Sequence, residues 1–222
     1  MRAWIWRNTS KMDVVNRMLR RIPPWSLYIG ATVWVVWMFW QGLQGALGVD
    51  PVKVLEHTYG ERALQVLIAG LAVTPLRRYL GLNLLRFRRA LGVIAFALVL
   101  CHLLVWLVLD VQILSQILAD ILKRPYITIG MAGFALMVPV ALTSNNWSIR
   151  KLGARWRKLH QLTYPVGILA GLHYVMLAKG FQLEPLLYFG AILGLLLLRV
   201  DWKARLLRLA SGKSRGESLQ NP

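Results

Sequence analysis

Long apolar runs separated by short basic clusters are the feature that most limits the folds open to this chain. A helix needs about 20 apolar residues to cross the ~30 Å hydrocarbon layer of a bilayer. Lipid offers no partners for free backbone groups, so a spanning segment is a helix or part of a closed barrel. The runs lack period-two alternation, which favours helices. We therefore predict an all-α membrane protein, a six-helix transmembrane bundle with spans at 25–47, 63–76, 90–109, 126–143, 159–178 and 186–200.

Composition favours a membrane protein over a soluble nucleic-acid-binding protein. Hydrophobic residues make up 57% of the 222 residues, whereas soluble domains have about 45–50%. A net charge of +18 could suit nucleic acid. The basic residues lie in clusters between the apolar runs, however, so we expect lipid and not nucleic acid as their partner. The single cysteine, Cys101, excludes an intramolecular disulfide.

The distribution of basic residues predicts the orientation. In a six-helix serpentine, 22 of the 27 Lys and Arg residues fall on one side, whereas six of the nine acidic residues fall on the other. Basic residues remain in the cytoplasm, so we expect a multi-pass protein of the bacterial inner membrane with both termini cytoplasmic. The chain then divides into a cytoplasmic segment at 1–24, the six-helix domain at 25–200 and a cytoplasmic polar tail at 201–222.

Two shorter patterns refine this outline. Segment 110–124 has apolar residues at helical spacing, which predicts a short amphipathic helix that lies in the membrane interface. Thr58 and Glu61 have the spacing of a capping box, which predicts that the second helix begins near Thr58.

Two histidines within the predicted spans are candidate iron ligands. His102 lies 13 residues after Arg89, and His173 lies 15 residues after Lys158. At 1.5 Å per residue both are roughly 20–22 Å from the cytoplasmic edge. Two imidazoles that face each other across a bundle suit a six-coordinate haem iron. Small side chains on the same helices would leave room for a flat macrocycle: Gly92, Ala95, Ala97, Gly167, Ala170 and Gly171.

The remaining histidines lie at other levels. His57 falls in the predicted outer loop. His160 falls two residues inside the fifth predicted span, about 20 Å from His173 along a straight helix. It serves a quinone, a flavin or a second haem, or it is an interfacial residue. Pro165 can kink the helix between His160 and His173.

Three alternatives stay open at this point. A histidine within a span can be a neutral imidazole hydrogen-bonded to a carbonyl of a neighbouring helix. The chain could be a transporter or a structural membrane protein, although transporters usually have broken helices and intramembrane charges. A metal-ion or oxygen reductase with two stacked haems would need a second ligand pair at the inner level, where the sequence has only His160.

The sequence resembles the MsrQ (YedZ) family of haem-binding membrane subunits, within the ferric-reductase-like transmembrane superfamily. The resemblance covers nearly the whole chain. It is carried by DPVKVLEHTYGERAL (50–64), VTPLRRYLG (73–81), RFRRALG (86–92), CHLLVWLVLD (101–110), KRPYITIG (123–130), LTSNNWSIRKLGARWRKLHQLTY (142–164) and LHYV (172–175).

The resemblance implies a function for this pattern. A haem b would be ligated by His102 and His173, and a third family histidine falls on His160. Electrons would pass from the quinone pool, or from a flavin donor, to a periplasmic methionine sulfoxide reductase catalytic subunit similar to MsrP, for repair of oxidised periplasmic proteins. FMN is a second cofactor that the resemblance allows. The chain would then be a subunit of a two-component reductase; the alternative is a ferric-reductase-like oxidoreductase with another terminal acceptor.

Overall fold

The computed structural model describes residues 2–178 and 181–199, with the backbone alone for residues 2–11, and this part of the chain is all-helical. The all-α prediction is confirmed. The predicted tail at 201–222 lies outside the described residues. The α-helices are α1 (Arg2–Arg21), α2 (Trp25–Leu43), α3 (Pro51–Leu80), α4 (Arg88–Leu104), α5 (Leu114–Lys123), α6 (Pro125–Leu142), α7 (Asn146–Leu152), α8 (Ala154–Leu159), α9 (Thr163–Leu177) and α10 (Leu183–Arg199).

Two helical stretches within the described residues are long and apolar enough to cross a membrane, Leu85–Val111 and Pro125–Leu142. The number is three if Met12–Arg21 and Trp25–Leu43, which meet at a bend of 70°, form one broken span. Helices α9 and α10 have 15 and 17 residues and are too short to pass the same test. The described residues thus include helices with the length and composition of membrane spans, and the count of six stays a prediction.

Helix α3 begins earlier than the sequence pattern predicted. Asp50 is its N-cap, with Oδ1 accepting a hydrogen bond from the Lys53 amide at 3.1 Å, and Pro51 occupies the first turn. The predicted start at Thr58 is therefore wrong, and His57 lies in this helix and not in a loop. The reason is that the helix extends about three turns beyond its apolar run through polar residues, which hydropathy does not detect.

Packing of α3 against α4 and of α6 against α9 forms the centre of the molecule, and α10 packs against both α3 and α9. The buried side chains are mostly aliphatic or small, as in Ala95, Val166 and Ile192. Many large apolar side chains are exposed on the surface of the helical bundle, among them Val33 and Trp37 on α2. An apolar exterior of this extent suits contact with lipid.

Helix α4 continues without a break into a π-helix, Val105–Val111, which ends at Gln112 with a left-handed φ of 60°. The predicted amphipathic segment at 110–124 therefore begins in the end of the π-helix and forms a separate α-helix only from Leu114 onward. Its apolar side chains at Leu114, Leu118 and Leu122 are exposed on one face of α5. The location of α5 in the membrane interface stays a prediction.

The α-helix is interrupted at His160, although the sequence predicted one continuous fifth span over 159–178. Residues His160–Leu162 form a 3₁₀ turn between α8 and α9. Pro165 lacks an amide hydrogen and is tolerated in the first turn of a helix, and it lies in the first turn of α9. It therefore follows the break instead of kinking a helix that contains both histidines.

An arginine donates the hydrogen bond that one backbone carbonyl of α3 would otherwise lack. Pro75 lies inside this helix and cannot donate to the Leu71 carbonyl. Arg199, at the end of α10, donates to this oxygen from Nη2 at 2.6 Å and from Nε at 3.1 Å. The guanidinium thus substitutes for the missing amide and joins α10 to α3.

Candidate functional site

His102 on α4 and His173 on α9 come together in the middle of the bundle. Their ring centroids are 6.3 Å apart, and the ring planes make an angle of 78°. An imidazole nitrogen lies about 1.1 Å from its ring centre and about 2.0–2.1 Å from a bound metal, so two axial ligands of one ion have centroids about 6 Å apart. The observed spacing suits a metal ion held between the two rings.

Hydrogen bonds select which nitrogen of each ring is available. His102 Nδ1 lies 2.8 Å from the Glu56 carbonyl oxygen on α3, and His173 Nδ1 lies 2.7 Å from the Tyr126 carbonyl oxygen on α6. A carbonyl only accepts, so both Nδ1 atoms carry a hydrogen. A neutral imidazole then has its lone pair on Nε2, which is the nitrogen left for a metal.

A glycine opposite each histidine makes this close approach possible. A Cβ on Gly60 would lie 3.0 Å from His102 Nδ1, and one on Gly130 would lie 2.8 Å from His173 Nδ1. The alternative that a buried histidine merely bonds a helix carbonyl accounts for each ring taken singly. It does not account for two rings that meet at the spacing of a metal-ligand pair.

A cavity of about 280 Å³ surrounds the two rings. One part is apolar and lies deep between the helices, with Leu67, Phe134, Met137 and Val166 in its wall. The other part is lined by residues at the helix ends, including Lys53, Asp110 and Arg124. No cluster of three or more His, Cys, Asp or Glu side chains that could hold a metal occurs among the residues the structure describes, so the histidine pair is the candidate centre.

Ion pairs stabilise the polar end of the cavity. Lys53 Nζ lies 2.6 Å from Asp110 Oδ2 and 3.2 Å from Glu56 Oε2. Partial burial lowers the pKa of Lys53, but the hydrogen bond to Asp110 and the charge of Glu56 outweigh it, so the pKa is raised above its usual 10.5. These pairs join α3 to the π-helix and hold Glu56, whose carbonyl orients His102.

His160 lies apart from the histidine pair and does not line its cavity. Its ring stacks on Trp156 with centroids 3.8 Å apart. Nδ1 lies 3.2 Å from the Trp156 carbonyl oxygen, and Nε2 lies 3.3 Å from Ser144 Oγ. Both nitrogens therefore have polar neighbours, and the structure does not bring His160 together with His102 and His173.

Two of the small residues predicted to make room for a macrocycle, Gly167 and Gly171, serve another purpose. A Cβ on Gly167 would contact Leu71 and Ile192, and one on Gly171 would lie 2.6 Å from Phe189 Cδ2. These glycines allow α10 to pack closely, so their predicted role is wrong. Of the six residues named, Ala170 lines the cavity.

Sequence reasoning missed the four residues that orient the histidines: Glu56, Gly60, Tyr126 and Gly130. In each helix the glycine follows the carbonyl residue by four positions, as in E-x-x-x-G and Y-x-x-x-G. Both patterns lie in stretches that carry the family resemblance. A glycine four positions after any given residue is too common in helices to indicate a ligand site without the structure.

Comparisons with known proteins identify the family of the chain. A family model described as ferric reductase like transmembrane component matches residues 59–171, which contain His102 but end two residues before His173. Relatives from Brucella ovis, Brucella canis and Brucella suis are each 47% identical over 196 residues, which is 88% of this chain and 84% of theirs. Each is named protein-methionine-sulfoxide reductase heme-binding subunit MsrQ. No solved structure matched the chain.

The match to the family model covers half of the chain, and the relatives align over most of it. Their aligned region includes the helices that carry the histidine pair. The chain therefore belongs to the MsrQ family, within the ferric-reductase-like transmembrane proteins.

Proposed function

We propose that this chain is a haem-binding electron-transfer subunit of a membrane methionine sulfoxide reductase system, with His102 and His173 as the axial ligands. The observation that carries the proposal is the 6.3 Å spacing of the two rings, each with its Nδ1 on a helix carbonyl. The names of the relatives support haem as the group bound there. The family resemblance implies a haem of type b, and the single cysteine offers no pair of thiols for covalent attachment of a haem.

The bound haem supplies a one-electron carrier. The chain holds it by two neutral imidazoles, whose orientation Glu56 and Tyr126 fix through their carbonyls. The apolar side chains of Phe134, Met137 and Val166 keep water from the deep part of the cavity. The polar end, with its charged side chains, is where an electron leaves for a water-soluble acceptor.

The direction of transfer follows from the predicted topology. If the basic loops are cytoplasmic, the polar end of the cavity faces the periplasm, because Lys53, Asp110 and Arg124 belong to the opposite side of the serpentine. The acceptor is then a periplasmic methionine sulfoxide reductase catalytic subunit. A transient electron-transfer contact can bury less than about 1,200 Å², so no extensive hydrophobic surface is required.

The donor acts from the opposite side. His160, Ser144 and Trp156 form a polar and aromatic cluster there. This combination suits a quinol headgroup or a flavin ring. A donor at this cluster predicts that His160→Ala keeps the haem but slows its reduction.

Optical spectroscopy of the purified protein tests the haem assignment. The reduced wild-type protein should have the bands of a low-spin haem b, and His102→Ala or His173→Ala should abolish or strongly alter them. Leu104→Ala and Met176→Ala are matched controls, because these exposed side chains lie on the same helices. Wild-type spectra in both histidine variants would contradict the ligand assignment.

A reoxidation assay tests the acceptor. Pre-reduced protein is mixed with the periplasmic catalytic subunit and a methionine sulfoxide, and the haem band is followed. Reoxidation that requires both additions supports the proposal. An intact haem that is reoxidised by ferric chelates but not by this mixture would favour the alternative, a ferric-reductase-like oxidoreductase with another terminal acceptor.

A further inference from the structure

Two helical glycines lie in contact with the histidine pair, Gly60 beside His102 and Gly130 beside His173. We propose that they are positioning residues of the haem site. Each keeps the space in which a ligand imidazole lies against a helix backbone and donates its Nδ1 hydrogen to a carbonyl. This inference rests on the proposed haem binding and names the residues that set the geometry of the ligands.

The contacts on the two sides are of the same kind. A Cβ at position 60 would lie 3.0 Å from His102 Nδ1 and 3.3 Å from its Cε1. A Cβ at position 130 would lie 2.8 Å from His173 Nδ1 and 3.0 Å from its Cε1. A Cβ atom does not approach a ring as closely as 2.8 Å, so a side chain at position 130 would displace the His173 imidazole. At position 60 the contact is at the tight limit, so the His102 imidazole would have to move by a few tenths of an ångström.

Helix geometry explains why the glycine is four residues after the carbonyl. In an α-helix residues i and i+4 lie on the same face, one above the other. A donor that approaches the carbonyl of residue i from outside therefore meets the side chain of residue i+4. Glycine at Gly60 and Gly130 leaves the carbonyls of Glu56 and Tyr126 open to a second donor besides the helix amide.

The expected consequence is chemical as well as steric. A hydrogen bond from Nδ1 fixes the tautomer and makes Nε2 a better ligand, and loss of such a partner typically weakens metal binding about 10- to 100-fold. Alanine is a better helix former than glycine. A purely structural role for the helix backbone would therefore predict that alanine is neutral or stabilising at these positions.

The test uses the full chain with Gly60→Ala and Gly130→Ala. Haem affinity, the midpoint potential and the EPR spectrum of the oxidised protein are measured, because the g values depend on the angle between the imidazole planes, here 78°. We expect Gly130→Ala to weaken haem binding about 10- to 100-fold and to shift the potential and g values. Gly60→Ala should act in the same direction but less, since its contact is wider.

Matched controls are available on neighbouring positions. A Cβ on Gly70, in the same helix as Gly60, would have only an ordinary contact of 3.8 Å with Leu91, and one on Gly92 of α4 would meet nothing within 4 Å. Gly70→Ala and Gly92→Ala should leave affinity, potential and g values unchanged. Equal changes in these controls would overturn the inference.

A ligand-replacement experiment keeps the test decisive if Gly130→Ala folds poorly. In His173→Gly, free imidazole replaces the missing ring and is not tied to α9, so it can move away from an added methyl group. Imidazole should then restore the haem spectrum in His173→Gly and also when Gly130→Ala is added, with weaker restoration in the second case because the hydrogen bond to Tyr126 is lost. Equal restoration in both, or wild-type properties of Gly60→Ala and Gly130→Ala, would exclude positioning; absence of haem from the wild type would instead contradict the proposed function.

Discussion

The α3–α4 pair and the α6–α9 pair present a histidine to the same cavity in the same way. In each, one helix contributes the imidazole, and the other contributes a carbonyl and a glycine one turn further on. The same arrangement of imidazole, carbonyl and glycine is thus built twice from helix backbone. The surroundings of the two histidines, however, are not equivalent.

The α6–α9 pair packs more closely around its histidine. A Cβ on Gly130 would lie 2.8 Å from His173 Nδ1, whereas one on Gly60 would lie 3.0 Å from His102 Nδ1. The α3–α4 pair is reinforced from outside instead. Lys53 joins α3 to the π-helix through Asp110, and Arg199 joins α3 to α10. The comparison indicates that the His173 imidazole is fixed mainly by close packing, whereas the helix pair around His102 is held by polar bonds to neighbouring elements.

Combining Gly60→Ala with Gly130→Ala tests whether the two pairs act through one iron. Residues that share a partner couple energetically, and the second displaced ligand matters less once the first is lost. The double variant should therefore lose less haem affinity than the product of the two single losses. Haem titration of all three variants measures this coupling, and strictly multiplicative losses would mean that the two glycines act independently.

Arg199→Leu tests the dependence of α3 on α10. The Leu71 carbonyl would lose its donor, and a buried unsatisfied acceptor costs about 1–3 kcal/mol. We expect the free energy of unfolding to fall by about this amount in a denaturant titration in detergent, with the haem spectrum retained. Arg150→Leu, at an exposed position on α7, is the control, and an equal loss there would contradict the assignment.

Asp110→Asn tests the smaller contribution of the Lys53 ion pair. The Lys53 side chain is 45% exposed, and such pairs contribute about 0.2–1 kcal/mol. The pKa of Lys53 is raised above 10.5 in the folded protein. The destabilisation should therefore be constant at neutral pH and vanish as the pH rises through this raised pKa.

Asp120→Asn gives the matched comparison for Asp110→Asn. It removes the local pair of Asp120 with Arg124, at 3.1 Å within one helical turn. A local pair joins no separate elements, so its removal should change the melting temperature less than Asp110→Asn does. Equal effects at pH 8 would show that the link from α3 to the π-helix adds nothing.

Much of the fold could be predicted from the sequence because lipid permits few solutions. Apolar runs indicated helices α2, α4, α6, α9 and α10 to within a few residues at most ends. The equal predicted depth of the two histidines in the membrane was sufficient to pair His102 with His173. These inferences depend on spacing along one helix, which a sequence records directly.

The remaining features depend on contacts between helices. The start of α3 at Asp50 and the break at His160 are set by polar capping and by Pro165, and neither changes the hydropathy profile. The roles of Gly60 and Gly130 exist only because another helix places a ring beside them. A single sequence does not distinguish these glycines from Gly167, which serves packing of α10.

The bond from Arg199 to the Leu71 carbonyl has a consequence for how this sequence can evolve. While Pro75 is present, loss of Arg199 leaves a carbonyl without a donor, so that substitution is selected against. Replacement of Pro75 by alanine restores an amide donor to this carbonyl, so the guanidinium is no longer required there. The two positions, 124 residues apart, therefore form an epistatic pair in which Pro75 must change first, and only then does Arg199 become free to vary.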